Sequence, residues 1–397
     1  MRRSVQAAVL LCSYRGASAF FSTAVPRASA SLRRTSAASS RAQSGVSSPS
    51  SCVPVVAITA RRQMQALRAG GSDGVGAKVV EDFGANVEID TKRVAVLFDF
   101  DGTIGDTETP AMEVAFWELA PYFPEAATGG KLEDMPEYIR NNAGKAFEFM
   151  LEKVEADRKT AGLSDIAAVR AEAGENAEIM KVVDENRAKY GLKPLGELRA
   201  SGDLKDILTQ QKVETVDALS VVARPVEGMV HTLDELRARK VPFAIATTSP
   251  KPRVPASVTA CGLDDYFPGD KIHSGESDFD PPRFKPDPSV YLKAVQFEGA
   301  IPPLCVAVED SASGVGSAAA AEMGLIVGYV GASHIGESRK QEHAKMLRTR
   351  GARVVVNDMK DLIPLVECFT ECMAKGEDYC APIAEVISTL DSKGTWG

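Results

Sequence analysis

The chain has 397 residues, which is longer than one average domain. Of these residues, 44% are hydrophobic and 25% are charged, a composition typical of a globular protein. The first 72 residues contain ten Arg and no Asp or Glu, so removing those ten from 46 basic residues leaves 36 against 54 acids, a formal charge of −18 for the rest. That acidic body excludes a broad nucleic-acid or anionic-membrane surface, because both partners require clustered Lys and Arg.

Residues 1–72 are rich in Ser, Ala and Arg, which is the composition of a targeting segment and not of a fold. Arg2-Arg3 precedes the apolar run from Val5 to Cys12, and a small-residue site follows, just before Phe20. This order resembles the bipartite signal of algal complex plastids, in which a signal peptide is cleaved ahead of a Phe that opens a transit peptide. We therefore expect a plastid (chloroplast) protein, with a mitochondrial or primary-plastid transit peptide as the alternative.

No membrane partner is expected for the mature chain. The apolar run in the head is too short to span a bilayer, and no other stretch approaches the roughly 18 apolar residues that a spanning helix needs.

The run from Val94 to Phe98 predicts a buried strand, because five consecutive apolar residues are bounded by a Gly-containing turn. Asp99 and Asp101 follow it directly. Since open α/β sheets bind ligands at the carboxyl ends of their strands, these two carboxylates are predicted to lie at a ligand site. On this stretch alone, an ordinary strand with an Asp-Gly turn is the alternative.

A long helical region is predicted from Thr107 to Ala223, before Pro225 biases its preceding residue out of the helix. The charged stretch Lys181 to Lys189 is interpreted as a solvated helix face. The amphipathic spacing i, i+3, i+4, i+7 predicts buried positions at Phe147, Met150, Leu151 and Val154.

After Pro225, apolar runs alternate with helical patterns, as in a doubly wound parallel sheet. The predicted strand cores are Pro242 to Ala246, Leu304 to Val308, Leu325 to Val330 and Arg353 to Val356.

Polar side chains cluster at the ends of these strands. Thr247, Thr248 and Ser249 follow one strand, and Glu309 with Asp310 follows the next. Lys285, between Phe284 and Pro286, precedes that second strand. Mg²⁺ prefers a few carboxylates, while hydroxyl and lysine donors suit phosphate oxygens, so these ends predict a magnesium and phosphate site.

The ordered motifs resemble the haloacid-dehalogenase (HAD) superfamily over about Arg93 to Leu362: Asp99-Phe100-Asp101-Gly102-Thr103, Thr247, Lys285 and Glu309-Asp310. The resemblance implies an α/β fold with a Rossmann-like, doubly wound parallel sheet and an inserted all-helical cap. The Ile272 to Gly275 and Arg283 to Pro288 stretches are similar to the CbbY-like and sugar-phosphate phosphatase branch, which is related to β-phosphoglucomutase. The implied organisation is 1–72 targeting segment, 73–92 linker, 93–106 and 225–365 core, 107–224 cap, and 366–397 C-terminal helical extension.

The same resemblance implies roles for the acids. Asp99 is expected to be the nucleophile that forms an aspartyl-phosphate, and Asp101 the general acid for the leaving alcohol. Mg²⁺ is expected to be bound by the Asp99 side chain, the Asp101 backbone carbonyl and Asp310. Glu309 is expected either to bind the ion directly or to contact one of its ligands.

Further residues are assigned to the phosphate and to the leaving group. Thr247, Thr248 and Lys285 are expected to bind phosphoryl oxygens. Glu108 is expected to contact sugar hydroxyls, and Ser249 and Lys251 lie just past the phosphate site. The stretch Arg140 to Lys145, including Gly144, resembles the cap specificity loop, with exposed helix-end cations as the alternative for Arg140 and Lys145.

Asp101 indicates phosphate-ester chemistry, because related dehalogenases lack an acid at that position. We expect a Mg²⁺-dependent monomeric phosphatase of a small phosphate ester, a sugar phosphate or bisphosphate. A phosphomutase of the β-phosphoglucomutase type is disfavoured, since its cap histidine is replaced by Ala111 and no His lies between Asp99 and Glu227. A non-catalytic regulator that binds a phosphometabolite is the third possibility.

Cysteine spacing offers no Cys-x-x-Cys pair. Cys305 is predicted to be a packing residue in a strand. Cys368 and Cys372 would share a helix face with Cβ atoms roughly 5–6 Å apart, beyond the usual disulfide range of about 3.5–4.5 Å. A regulatory disulfide among these two and Cys380 is the less favoured interpretation.

Overall fold

A parallel sheet forms the centre of the computed structural model, which describes residues 88–142 and 147–390. Within these residues the sheet has six strands in the order β3-β2-β1-β4-β5-β6, and every pair of neighbours runs parallel. The strands are β1 (Ala95–Phe98), β2 (Phe243–Thr247), β3 (Ile272–Ser274), β4 (Cys305–Glu309), β5 (Leu325–Tyr329) and β6 (Val354–Val356).

In the described residues, eight helices after β1 form the insertion, and seven more flank the sheet, the first of them just before β2. The insertion contains α1 (Glu108–Leu119), α2 (Pro124–Ala127), α3 (Met135–Asn142), α4 (Phe147–Thr160), α5 (Ile166–Glu172), α6 (Ala177–Arg187), α7 (Leu195–Ser201) and α8 (Ile207–Val222). The sheet is flanked by α9 (Met229–Ala238), α10 (Arg253–Ala260), α11 (Ser289–Phe297), α12 (Ala312–Ala320), α13 (Lys340–Arg350), α14 (Leu362–Lys375) and α15 (Cys380–Thr389). None of these described helices is long and apolar enough to cross a bilayer.

Both faces of the sheet are buried, which is why its strands are continuous apolar runs. Side chains alternate along a strand, so Val96 and Phe98 of β1 pack on one face and Ala95 and Leu97 on the other. The five strands predicted from apolar runs are present to within one residue at each end. The three-residue strand β3 was not predicted, because it is too short to produce a periodic signal.

The predicted fold class, a doubly wound parallel sheet with an inserted helical cap, is confirmed. Inside the cap, Phe116, Phe123 and Tyr138 form an aromatic cluster with centroids 5.3–5.7 Å apart. The predicted positions Phe147, Met150 and Val154 of α4 are buried beside it, and Leu151 is partly buried.

The interpretation of Lys181 to Lys189 as a solvated face is wrong at Arg187. That side chain is 0% exposed and forms ion pairs with Glu118 of α1 and with Glu214 of α8, at 2.5 Å from the latter. Burial, together with the hydrogen bond to Glu214, raises the pKa of Glu118 well above its usual value, while Arg187 opposes that shift. Periodicity could not reveal this charge, because its partners come from two distant helices.

The C-terminal segment packs on the sheet. Helix α14 spans the predicted boundary at residue 366, and its Leu365, Val366 and Phe369 lie in the same apolar cluster as the strands. Ile383 of α15 joins that cluster. Cys305 is buried in β4 as predicted, and no disulfide joins the cysteines of the described residues.

Candidate active site

The candidate site lies where β1 and β4 end side by side. The two strands pair in register, with Phe98 opposite Val308, and the Asp99 N–H donates to the Val308 carbonyl at 3.0 Å. Asp99 therefore lies next to Glu309 and Asp310. From β1 the chain builds outward to β2 and β3 on one side and to β4, β5 and β6 on the other, so this edge is the crevice in which doubly wound sheets bind ligands.

Lys285 lies between two of the carboxylates. Its Nζ is 2.6 Å from Asp99 Oδ1 and 2.6 Å from Glu309 Oε1, and the side chain is 3% exposed. The Tyr291 hydroxyl donates to the same Glu309 oxygen at 2.6 Å. Burial alone would lower the pKa of Lys285, but Asp99 and Glu309 outweigh it and raise that pKa. The lysine is therefore a permanent cation beside Asp99.

Three carboxylates outnumber this single ammonium. Asp99, Glu309 and Asp310 offer oxygens that all lie within 4.8 Å of one another. Burial raises the pKa of Asp99 to about 7, against the opposing effect of Lys285. Burial, followed by repulsion from Asp99 and Glu309, raises the pKa of Asp310 well above its usual value. Both shifts indicate a place for another cation, and the all-oxygen donor set suits Mg²⁺.

Asp310 is positioned by the first motif and by two histidines. Thr103 Oγ1 is 3.5 Å from its Oδ1, and His334 Nε2 is 3.4 Å from its Oδ2. The His343 Nε2 lies 2.6 Å from its backbone oxygen. A Cβ on Gly102 would lie 2.3 Å from Asp310 Oδ2, and its φ of +79° also favours glycine. Gly102 thus lets the first motif approach Asp310.

Asp101 faces a different set of donors. Its Oδ1 accepts from Thr107 Oγ1 at 2.6 Å and from Arg253 Nη2 at 2.7 Å, and its Oδ2 accepts from Ser249 Oγ at 2.5 Å. Burial alone would raise the pKa of Asp101, but Arg253 and the two hydroxyls outweigh it and lower that pKa. The Asp101 side chain is consequently held as a carboxylate, outside the group of three that could hold a metal.

The family assignment follows from comparison with known proteins. The sequence profile of the haloacid dehalogenase-like hydrolases matches residues 94–322, more than half of the chain. The chain belongs to this family. The resemblance seen in the four motifs is thereby confirmed.

Individual relatives of this HAD hydrolase are distant. CbbY of Rhodobacter capsulatus is 28% identical over 240 residues, covering 59% of this chain and 84% of CbbY. A phosphorylated carbohydrates phosphatase of Thermotoga maritima is 29% identical over 107 residues, covering 26% of this chain and 45% of that protein. Among solved structures, a HAD family hydrolase from Deinococcus radiodurans R1 with bound phosphate and sodium has 24% identity and a TM-score of 0.47, covering 70% of this chain and 97% of that one.

The turn after β2 brings hydroxyls to the HAD site. Thr247 ends β2, the neighbour of β1, and its buried Oγ1 accepts from the Ser249 N–H at 3.1 Å. Thr248 is half-buried in the same turn, and Ser249 contacts Asp101 as described above. Lys251 is directed elsewhere, because its Nζ lies 2.7 Å from Asp278 Oδ1.

Of the predicted cap residues, the structure describes Glu108 and Arg140. Glu108 begins α1, half-buried; burial and the nearby Asp101 raise its pKa, while Arg253 opposes the shift. Arg140 is exposed in the last turn of α3. Gly144 and Lys145 lie outside the described residues, so their roles stay predictions.

Sequence reasoning missed four residues of this site: Arg253, Tyr291, His334 and His343. Arg253 could have been identified from the sequence, because it follows Thr247 by six residues and starts the helix after β2. Tyr291 lies one turn beyond the Lys285 motif, at the start of α11. The two histidines come from the segment after β5, which has no motif, so only the folded chain brings them to Asp310.

Proposed function

We propose that this HAD hydrolase is a Mg²⁺-dependent phosphatase that hydrolyses a small phosphorylated metabolite, with a sugar phosphate as the favoured class. The observation that carries the proposal is that Asp99 and Asp101, two residues apart in sequence, lie in different environments and contact different partners. Asp99 is paired with Lys285 beside the metal-binding group, whereas Asp101 is held by Thr107, Ser249 and Arg253. The phosphatase name of the Thermotoga maritima relative supports the substrate class.

Asp99 is the proposed nucleophile. Its carboxylate attacks phosphorus, the bond to the ester oxygen breaks, and the phosphoryl group becomes an aspartyl-phosphate. Lys285, which contacts Asp99, and Thr247, which ends the neighbouring strand β2, are the proposed hydrogen-bond donors to the phosphoryl oxygens. Mg²⁺ held by Asp99 and Asp310 would supply positive charge that keeps Asp99 ionised and offsets the charge on those oxygens. Glu309 is already bonded to Lys285 and Tyr291, so its main contribution is to hold the lysine.

Asp101 is the proposed acid and base. It gives a proton to the leaving alkoxide, then takes a proton from the water that hydrolyses the aspartyl-phosphate, so no net proton is consumed by the residue. In the resting site the pKa of Asp99 is raised and that of Asp101 is lowered, the reverse of what a nucleophile and an acid need, so a cation bound at Asp99 would keep the nucleophile ionised and Asp101 must gain its proton as the substrate binds.

Hydrolysis is favoured over the two other functions. The cap residue Ala111 cannot act as an acid, and the sequence has no His between residues 99 and 227, which disfavours a phosphomutase. The presence of Asp101 as a candidate leaving-group acid disfavours a regulator that only binds a phosphometabolite, because such a protein does not need that acid. We also propose that residues 1–72, which lie outside the described part of the chain, direct the protein to a plastid.

The proposed activity is tested by phosphate release from p-nitrophenyl phosphate and from a panel of pentose, hexose and aldonate phosphates. We expect turnover with Mg²⁺, loss of turnover in EDTA, and restoration by added Mg²⁺. The Asp99→Asn protein, which keeps the size of the side chain, should be folded and inactive. A metal-independent rate, or more than about one percent activity in the Asp99→Asn protein, contradicts the proposal.

A further inference from the structure

The loop after β5 brings a histidine to the carboxylates of the candidate active site. His334 Nε2 lies 3.4 Å from Asp310 Oδ2. This separation exceeds the roughly 2.7–3.2 Å of a good N–H···O hydrogen bond. The other ring nitrogen, Nδ1, is buried and has no hydrogen-bond partner among the described residues. A buried polar atom without a partner is costly, so the ring is placed for an interaction that the described side chains do not supply.

The His334 ring is held in place by its surroundings. A Cβ on Gly102 would lie 2.8 Å from His334 Cε1, so the ring packs directly against the first motif. Ala332 and Ile335, which flank the histidine, are buried in the apolar cluster of the sheet. The Ile335 N–H donates to the Ala332 carbonyl at 3.0 Å and closes a turn around the histidine. The imidazole is therefore preorganised, and binding a ligand costs it little further conformational freedom.

The separation of Nε2 from Oδ2 matches that of two atoms that share one metal ion. Two ligand atoms bonded to a tetrahedral Zn²⁺ at about 2.0–2.2 Å lie about 3.3–3.6 Å apart. The 3.4 Å between His334 and Asp310 falls in that range. Neighbouring ligands of an octahedral Mg²⁺ lie closer together, at about 2.8–3.0 Å. Imidazole nitrogen also suits Zn²⁺, whereas Mg²⁺ prefers oxygen.

The other side chains around Asp310 differ in whether they could join this pair. His343 Nε2 is already 2.6 Å from the Asp310 backbone oxygen. Glu309 is already bonded to the buried lysine and tyrosine described above. Asp99 belongs to the same group of three carboxylates as Asp310, so it is the candidate third ligand.

We propose that His334 is a nitrogen ligand of this cation site, so that Asp310 and His334 together bind a nitrogen-preferring divalent cation, Zn²⁺ above all. Zn²⁺ then competes with Mg²⁺, because both ions need the Asp310 carboxylate. The inference rests on the proposed function only in placing Mg²⁺ at Asp310, and metal binding is measured without substrate.

The test is calorimetry with ZnCl₂ and with MgCl₂ on the full chain after EDTA treatment and dialysis. The parent protein is compared with His334→Ala and with His334→Phe, which keeps a ring against Gly102. His231→Ala is the matched control, because it removes an exposed imidazole from α9. Thermal melts of all four proteins report whether each is folded.

Both His334 variants should weaken Zn²⁺ binding at least about 10-fold, because a direct ligand is lost. Their Mg²⁺ affinity should change less than about 3-fold, since oxygen atoms hold that ion. The control should change neither affinity. Histidine ¹⁵N NMR of the parent protein needs no variant: the chain has four histidines, and Zn²⁺ should shift the Nε2 signal that is missing from the His334 variants.

Three results would overturn the inference: unchanged Zn²⁺ affinity in the folded His334 variants, an unshifted His334 signal at saturating Zn²⁺, or equal losses of Zn²⁺ and Mg²⁺ affinity. The last would make His334 a residue that only positions Asp310. Phosphate release with Mg²⁺ is scored separately. A parent protein that binds Zn²⁺ through His334 and releases no phosphate refutes the proposed function and supports this inference.

Discussion

Replacing Lys285 by Ala is expected to produce a stability loss that grows with pH. The substitution removes the ammonium that lies 2.6 Å from Asp99 and 2.6 Å from Glu309, and leaves two buried carboxylates without it. Breaking a buried ion pair costs about 3–5 kcal/mol. Asp99 limits that cost near neutral pH, because its pKa is already about 7 and it can take up a proton once the lysine is gone.

The sign of the pH dependence follows from that proton. Without Lys285, whose charge lowers the pKa of Asp99, the folded-state pKa rises above about 7, while the unfolded value stays near 3.8. A raised folded-state pKa contributes stability that is complete below the unfolded pKa and is lost as pH rises through the folded one. Above pH 7 the parent Asp99 is already ionised, so the deficit of the variant should grow by up to about 1.4 kcal/mol per pH unit.

Urea unfolding in EDTA at pH 6, 7 and 8 measures this effect. Lys293→Ala is the matched control, because Lys293 shares Asp278 with Lys251 and is partly exposed. Its loss should cost less than about 1 kcal/mol at every pH. A pH-independent deficit in Lys285→Ala, or one below about 1 kcal/mol at pH 8, would refute the electrostatic account of this lysine.

Three further predictions test the acid, the cap and the targeting segment. Asp101→Asn should slow hydrolysis of an alkyl phosphate by about 10²- to 10⁴-fold and of p-nitrophenyl phosphate distinctly less, because an acidic phenol leaves without a proton; equal losses in burst and steady-state kinetics, with phosphoenzyme formation limiting, would contradict the acid role. Glu118→Gln should cost less free energy of unfolding than Arg187→Met, because burial raises the pKa of Glu118 and so weakens the contribution of its charge, whereas removing Arg187 leaves Glu214 buried without its cation, at about 3–5 kcal/mol; equal costs of the two substitutions in urea unfolding would contradict this expectation. Residues 1–72 fused to a fluorescent reporter should direct it to plastids, and their deletion should leave catalysis unchanged; a cytosolic reporter, or a truncated protein that does not fold, would contradict these expectations.

The sheet and the central motifs were predictable because they depend on local patterns. Apolar runs identify parallel strands buried on both faces, and parallel strands present their carboxyl ends at one edge. Asp99 and Asp310, more than two hundred residues apart in sequence, could therefore be placed together from the sequence alone. Lys285 was predictable for a different reason, since its place depends on the resemblance of the motifs around it.

Other features depend on contacts that no local pattern encodes. Arg187 belongs to a charged stretch that is typical of a solvated helix, and its burial follows from Glu118 and Glu214 on other helices. Arg253 follows the turn that carries Thr247 and Ser249, yet its contact with Asp101 depends on how α10 packs in the folded chain, where α8 is its neighbour. Periodicity predicts which face of an element is buried, and it does not predict which distant charge lies opposite.

The most direct test of the account is chemical identification of the phosphorylated residue. The protein is incubated with substrate and Mg²⁺, quenched in acid, reduced with borohydride to convert an aspartyl-phosphate to homoserine, and digested for mass spectrometry. The account predicts homoserine at position 99, dependent on substrate and Mg²⁺, and none in the Asp99→Asn protein. Substrate turnover without modification at position 99, or modification at Asp101, would contradict it.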